Sequence, residues 1–120
     1  MKLVCIVLLL TVVAVQAQYS TENDDLNIDA LVANEESFKS FVGCFLDRVT
    51  CDAVPADFKK DIPDAVKTSC TKCTDAQKHI FHKFLLGLKE KLPSDYEAFK
   101  NKYDPGSEYF TALEAAVANS

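Results

Sequence analysis

From Asn34 onward, apolar residues return every three or four positions, the spacing of helices that bury one face. Phe38, Phe41, Val42, Phe45, Leu46 and Val49 fall on one stripe, with Glu36, Ser40, Gly43 and Asp47 opposite and Asn34 placed to cap the start. This predicts a core-facing helix of about four turns. Before it, Asn27 to Val32 reads as a short helix capped by Asn27 or Asp29. After Cys51, the segment from Ala53 to Ala56 reads as a connector containing Pro55, and Asp57 as the start of a helix carrying Phe58, Ile62, Ala65 and Val66. Pro63 interrupts that pattern, so the helix is expected to kink or restart there. Thr74-Asp75-Ala76-Gln77 is a capping box, in which threonine and glutamine side chains satisfy each other's backbone donors. The helix it opens carries Ile80, Phe81, Phe84, Leu85, Leu88 and Leu92, and Pro93 stops it. Ser94-Asp95-Tyr96-Glu97 repeats the capping signature ahead of Tyr96, Phe99 and Tyr103. Asp104-Pro105 offers a cap and a proline at the first helical position, leading into Phe110, Leu113 and Val117. No stretch alternates with period two for long enough to make a strand, so the fold class is all-α, with five or six short amphipathic helices.

The first residues follow another pattern. Met1 and Lys2 make a short positive end, Leu3 to Val15 is almost wholly apolar, and Val15-Gln16-Ala17 places small residues at both recognition positions of a leader peptidase. Residues 1–17 are expected to be a signal peptide and 18–120 one mature helical domain. The apolar run is short for a bilayer span, and a polar stretch rather than a basic flank follows it. Secretion also settles the cysteine arithmetic: Cys5 leaves with the leader, and five cysteines become four. In an oxidising compartment Cys44, Cys51, Cys70 and Cys73 are expected to form two disulfides. Four cysteines allow three pairings. The local one joins Cys44 to Cys51 and Cys70 to Cys73, and each small loop contributes roughly 2 to 2.5 kcal/mol in the chain-entropy treatment. Cys44 lies off the Phe38–Phe41–Phe45 stripe, which suits a bridge to the next loop.

Charge narrows the partners. The chain carries 18 acidic and 13 basic residues, a net charge of −5, and the basic ones are scattered singly or in pairs. Nucleic acid and anionic membrane surfaces fit this poorly.

Three constellations invite chemistry. Cys70-Thr71-Lys72-Cys73 has the spacing of a thiol redox centre, but that motif opens a helix after a strand and no strand is predicted here. The four thiols match no common zinc-finger spacing. Asp75, His79 and His82 share a helix face largely opposite Phe84 and Leu88, which reads as a solvated polar face; no metal or cofactor is expected. No nucleophile, base and orienting group can be assembled, so no catalytic residue is assigned and an enzyme is not expected. Gln77 is set toward the Phe81–Phe84–Leu88 stripe and is read either as the capping-box partner or as a polar contact inside a ligand cavity. All eight Phe and four Tyr lie after the leader. Pattern alone does not distinguish a packed aromatic core from a hollow one.

The cysteine spacing C-x6-C-x18-C-x2-C, the leader and the helical pattern together resemble the insect chemosensory proteins, also called the OS-D family, over the whole mature chain. Tyr19-Ser20-Thr21, Asn27-Ile28-Asp29, Cys44-Phe45-Leu46-Asp47, Ile62-Pro63-Asp64-Ala65, Cys70-Thr71-Lys72-Cys73 with Gln77-Lys78, and Tyr103-Asp104-Pro105 carry the resemblance. It implies six helices around an apolar channel, with Cys44 bridged to Cys51 and Cys70 to Cys73. It also implies a soluble extracellular carrier of long-chain alcohols, acetates, aldehydes or fatty-acid-like semiochemicals; a monomer is expected, with a membrane receptor or another secreted protein as partner. The alternative role is a secreted interaction protein of haemolymph, saliva or reproductive fluid, acting on another secreted protein in development, defence or feeding. The family's ligand positions map to Ile28, Phe41, Phe45, Phe58, Ile62, Gln77, Phe84, Leu85 and Tyr96. Phe41 and Asn23 stand where the family often has tyrosine, Tyr96 where it has tryptophan, and Val49 and Pro55 where glycines are common.

Overall fold

The computed structural model describes residues 17–120, so the leader reading lies, apart from Ala17, outside the described residues. Six helices follow in order: α1 Ile28–Ala33, α2 Glu35–Phe45, α3 Ala53–Thr68, α4 Asp75–Lys91, α5 Pro93–Tyr103 and α6 Phe110–Val117. No strand occurs among the described residues. Asn27 and Asn34 cap α1 and α2 by accepting the N–H of Ala30 and Ser37, both at 3.0 Å. The bridges are Cys44–Cys51 and Cys70–Cys73.

Several helix ends differ from the sequence reading. Helix α2 stops at Phe45, a turn early, because Asp47 turns left-handed (φ 61°) and its carboxylate is held by Lys59 and by Lys102 at 2.6 Å. Val49 is consequently 49 % exposed rather than part of the buried stripe. Gly43 and Cys44, expected away from that stripe, are buried. Helix α3 starts at Ala53, not Asp57: Pro55 falls in the first turn, where no intrahelical N–H bond is required. It then runs unbroken through Pro63, which lies on the exposed face and so costs one intrahelical bond away from the core. Pro93 takes the first position of α5 and Leu92 the cap position, leaving the Ser94 box unformed. Helix α6 begins at Phe110; Pro105 lies in the preceding turn, and Asp104 caps the helix from six residues upstream.

The core is one cluster. Helix α4 packs on α1, α5 and α6, while α3 packs on α2, α5 and α6. Gly87 lets α4 approach α1, since a Cβ there would lie 2.8 Å from Val32 Cγ1. Phe99 of α5 is the aromatic hub: it is fully buried, and the ring centroids of Phe45, Phe81, Phe84, Tyr103 and Phe110 lie 4.9–6.5 Å away, mostly edge-on. Burying Phe, Leu and Val from six short helices supplies the stability that no single helix of 6–17 residues has alone.

Candidate functional site: an aromatic cavity under an N-terminal strap

Helices α3 and α4 supply facing walls of a cavity rather than a filled interface. Phe58, Asp61, Ile62 and Ala65 come from α3, and Gln77, Ile80, Phe81 and Phe84 from α4. Ile28 and Leu31 of α1, Phe41 and Phe45 of α2, and Phe99 of α5 close the remaining sides. Amphipathic spacing delivers the apolar ones, since they lie on the inward stripes of their helices. The cavity holds about 60 Å³ that the centre of a water molecule can reach. Its wall is almost wholly apolar; Tyr19, Asp61 and Gln77 bring the polar groups.

Residues 19–26 cross this cavity as a strap, with Tyr19 and Leu26 contributing to the wall. Polar contacts from α3 and from the connector leading into α4 pin it. The Tyr19 amide donates to the Lys72 carbonyl at 3.0 Å and its hydroxyl to Asp64 at 2.5 Å. Asn23 donates to Asp57 at 3.1 Å, and the Thr74 hydroxyl to Asp24 at 3.1 Å. Burial, reinforced by the Asp64 bond, pushes the Tyr19 hydroxyl well above the ordinary phenol range. The Tyr19 bond, followed by Lys72 nearby, holds Asp64 below the usual carboxylate range despite some desolvation.

Gln77 joins the two readings made of it. Its Oε1 accepts the Thr74 N–H at 3.0 Å and Thr74 Oγ1 accepts the Gln77 N–H at 3.1 Å, completing the capping box; its Nε2 meanwhile donates to the Ser20 carbonyl at 3.0 Å. The residue therefore lines the cavity while tying the strap to α4. Gln77→Ala is expected to cost about 1–2 kcal/mol, as a lost cap plus a lost tether. Amide exchange should rise over Ser20–Leu26 and stay unchanged around Phe99; an unaltered strap would mean it is held without Gln77.

Of the residues proposed for ligand contact, Ile28, Phe41, Phe45, Phe58, Ile62, Gln77 and Phe84 meet at this wall. Leu85 and Tyr96 do not. Leu85 is buried, but it follows Phe84 by one residue and so sits about 100° around α4. Tyr96 is committed elsewhere: its hydroxyl donates to Glu114 at 2.9 Å, and Lys89 both pairs with Glu114 at 2.8 Å and lies over the Tyr96 ring. Sequence reasoning passed over Tyr19, Leu26, Leu31, Asp61, Ala65, Cys73, Ile80, Phe81 and Phe99 as wall residues. The inward stripes of α3 and α4 named Ala65, Ile80 and Phe81 as core and could have found them. Nothing local marked Asp61 or the strap.

Residues 19–111 match the insect pheromone-binding family, A10/OS-D. The chain is 30 % identical over its full length to ejaculatory bulb-specific protein 3 of Drosophila melanogaster, covering 95 % of that protein. It is 32 % identical to allergen Tha p 1 of Thaumetopoea pityocampa over 76 % of this chain and 72 % of that one. The fold superposes with a TM-score of 0.75 on a chemosensory protein solved in complex with bromo-dodecanol, at 24 % identity, covering 82 % of this chain and 98 % of that one. Helical pattern, cysteine framework and these matches agree: the chain belongs to the insect pheromone-binding family A10/OS-D.

Proposed function

We propose that this protein is a secreted, non-enzymatic carrier that buries small hydrophobic ligands, such as long-chain alcohols, acetates or aldehydes, and moves them through extracellular fluid. The observation that carries this reading is an apolar cavity walled by aromatic rings from four helices, with Tyr19 and Leu26 of the strap at its edge. Such a site binds by transfer of methylenes from water, each worth about 0.8 kcal/mol, with few directional bonds. The bromo-dodecanol complex of the structural relative supports the same class of cargo. Among the described residues no helix is long and apolar enough to cross a membrane.

The cavity has room for a few waters, each needing about 10–15 Å³ of such space, and an alkyl chain of a dozen carbons needs more. Rings must therefore move on loading. Phe41, Phe58 and Phe81 are only half-buried and are placed to swing, whereas Phe38 and Phe99 are locked in the core.

Ala65 is the small residue in this wall, and Ala65→Leu fills part of the void with side chain. It is expected to lower affinity for a C12 ligand about tenfold, read by displacement of a fluorescent apolar probe, with the helical circular-dichroism spectrum unchanged. Unaltered affinity in the folded variant would overturn the cavity assignment. Failure of the disulfide-bonded parent to bind any C10–C18 ligand would favour the secreted interaction role instead.

A further inference from the structure

The ligand cavity opens beside a smaller polar cleft of about 20 Å³ lined by Ser20, Glu22, Asn23, Asp57 and Lys60, and the two share Phe58, Asp61 and Gln77. An alkyl chain held in the apolar cavity has its polar end at this boundary, because hydrocarbon gains from burial and a head group loses from it. The groups at the boundary are mostly occupied. Asp57, Asp61 and Asp64 follow one another on a single face of α3 at i, i+4 and i+7. Asp57 accepts from Asn23 and is paired with Lys60 at 4.0 Å, and Asp64 accepts from Tyr19 with Lys72 3.7 Å away. Gln77 spends its oxygen on Thr74 and its nitrogen on Ser20. Asp61 alone of the three carboxylates has no hydrogen bond or ion pair among the described residues, although it is half-buried against the apolar wall. Burial raises its pKa above the ordinary carboxylate range, Lys60 opposing and Asp64 and Asp57 adding to the rise, which is the direction expected of a carboxylate short of donors.

We propose that Asp61 reads the head group of the ligand, accepting a hydrogen bond from a terminal hydroxyl and rejecting the carboxylate of a fatty acid. An alcohol supplies the donor that this half-desolvated oxygen lacks, in a charge-assisted bond. A fatty-acid anion at the same position sets two like charges together. An ester brings acceptors only and gains nothing from Asp61.

This inference rests on the carrier reading, and one titration series separates the two. Dodecan-1-ol, dodecanoate and dodecyl acetate are each titrated against a fluorescent apolar probe bound to wild-type, Asp61→Asn and Asp61→Ala protein at pH 8, well above the ordinary carboxylate range. Wild type is expected to prefer the alcohol to the acid at least tenfold. Asp61→Asn should tighten dodecanoate at least fivefold; Asp61→Ala should weaken the alcohol three- to tenfold and leave the acetate within twofold. Asp61 is at the rim and partly solvated, so the variants are expected to fold as wild type does, checked by circular dichroism. An unchanged alcohol-to-acid ratio in folded variants that still bind would overturn the role of Asp61 and leave the carrier intact. Displacement by none of the three ligands from wild type would remove the carrier reading, and this inference with it.

Discussion

Phe99→Ala is expected to destabilise the fold by about 3–5 kcal/mol. The ring has no exposed surface and sits among five other aromatic rings contributed by α2, α4, α5 and α6. Alanine removes the hydrophobic transfer energy of six ring carbons and the edge-to-face contacts together. The space left merges with the ligand cavity, whose wall Phe99 helps to form, so neighbouring rings collapse only partly. Phe99→Leu, which retains most of the volume, should cost roughly half as much. Urea denaturation checks this: the midpoint should fall with the slope unchanged. A loss below about 1 kcal/mol for the alanine variant would mean that the core is organised around other residues. Because the cavity grows, a long-chain ligand should recover part of the stability, in proportion to the logarithm of its concentration over its dissociation constant.

Asp104→Ala is expected to cost about 2–4 kcal/mol. Asp104 is 2 % exposed and ends α5, its own N–H reaching the Lys100 carbonyl at 2.7 Å. Its Oδ1 accepts from Glu108 at 2.9 Å, and its Oδ2 from Tyr109 at 2.9 Å and Phe110 at 3.0 Å. These are donors at the start of α6, so one carboxylate joins the last two helices. Asp104→Asn keeps one acceptor oxygen and should lose about half as much. Burial by itself would raise the carboxyl pKa, but the three backbone donors outweigh it and hold it below the ordinary range. A folded-state pKa below the unfolded value gives a contribution fully present above about pH 4 and lost as pH falls through the folded value. The stability gap between wild type and Asp104→Asn should therefore narrow between about pH 4 and pH 2 and stay level from pH 5 to 7. A constant gap down to pH 2 would place the stabilisation outside this carboxylate.

The helices were legible in the sequence because each carries its own instruction. The Thr74–Gln77 capping box, the asparagine caps of α1 and α2 and the i, i+3, i+4 recurrence of phenylalanine and leucine are local, and all are found in the structure. Departures cluster where a long-range contact overrode a local signal. The Ser94 box yields to Pro93, and Asp104 caps not the residue beside it but three amides further along, an arrangement no short motif announces. Asp47 ends α2 early because lysines from α3 and α5 converge on it.

By itself the sequence determined the all-α class, the approximate order and inward faces of six helices, and, through the resemblance it carries, the local disulfide pairing. Periodicity specifies these because it is a property of one helix about its own axis. Only the tertiary structure decided that Phe84 meets a void while Leu85 does not, that Tyr96 serves a surface network, that Phe99 stands at the centre of the aromatic cluster, and that residues 19–26 cover the cavity with Asp61 left unpaired beneath them. Each of those depends on which neighbour faces a given stripe and how closely it approaches, and packing between distant segments is not encoded at any fixed spacing along the chain.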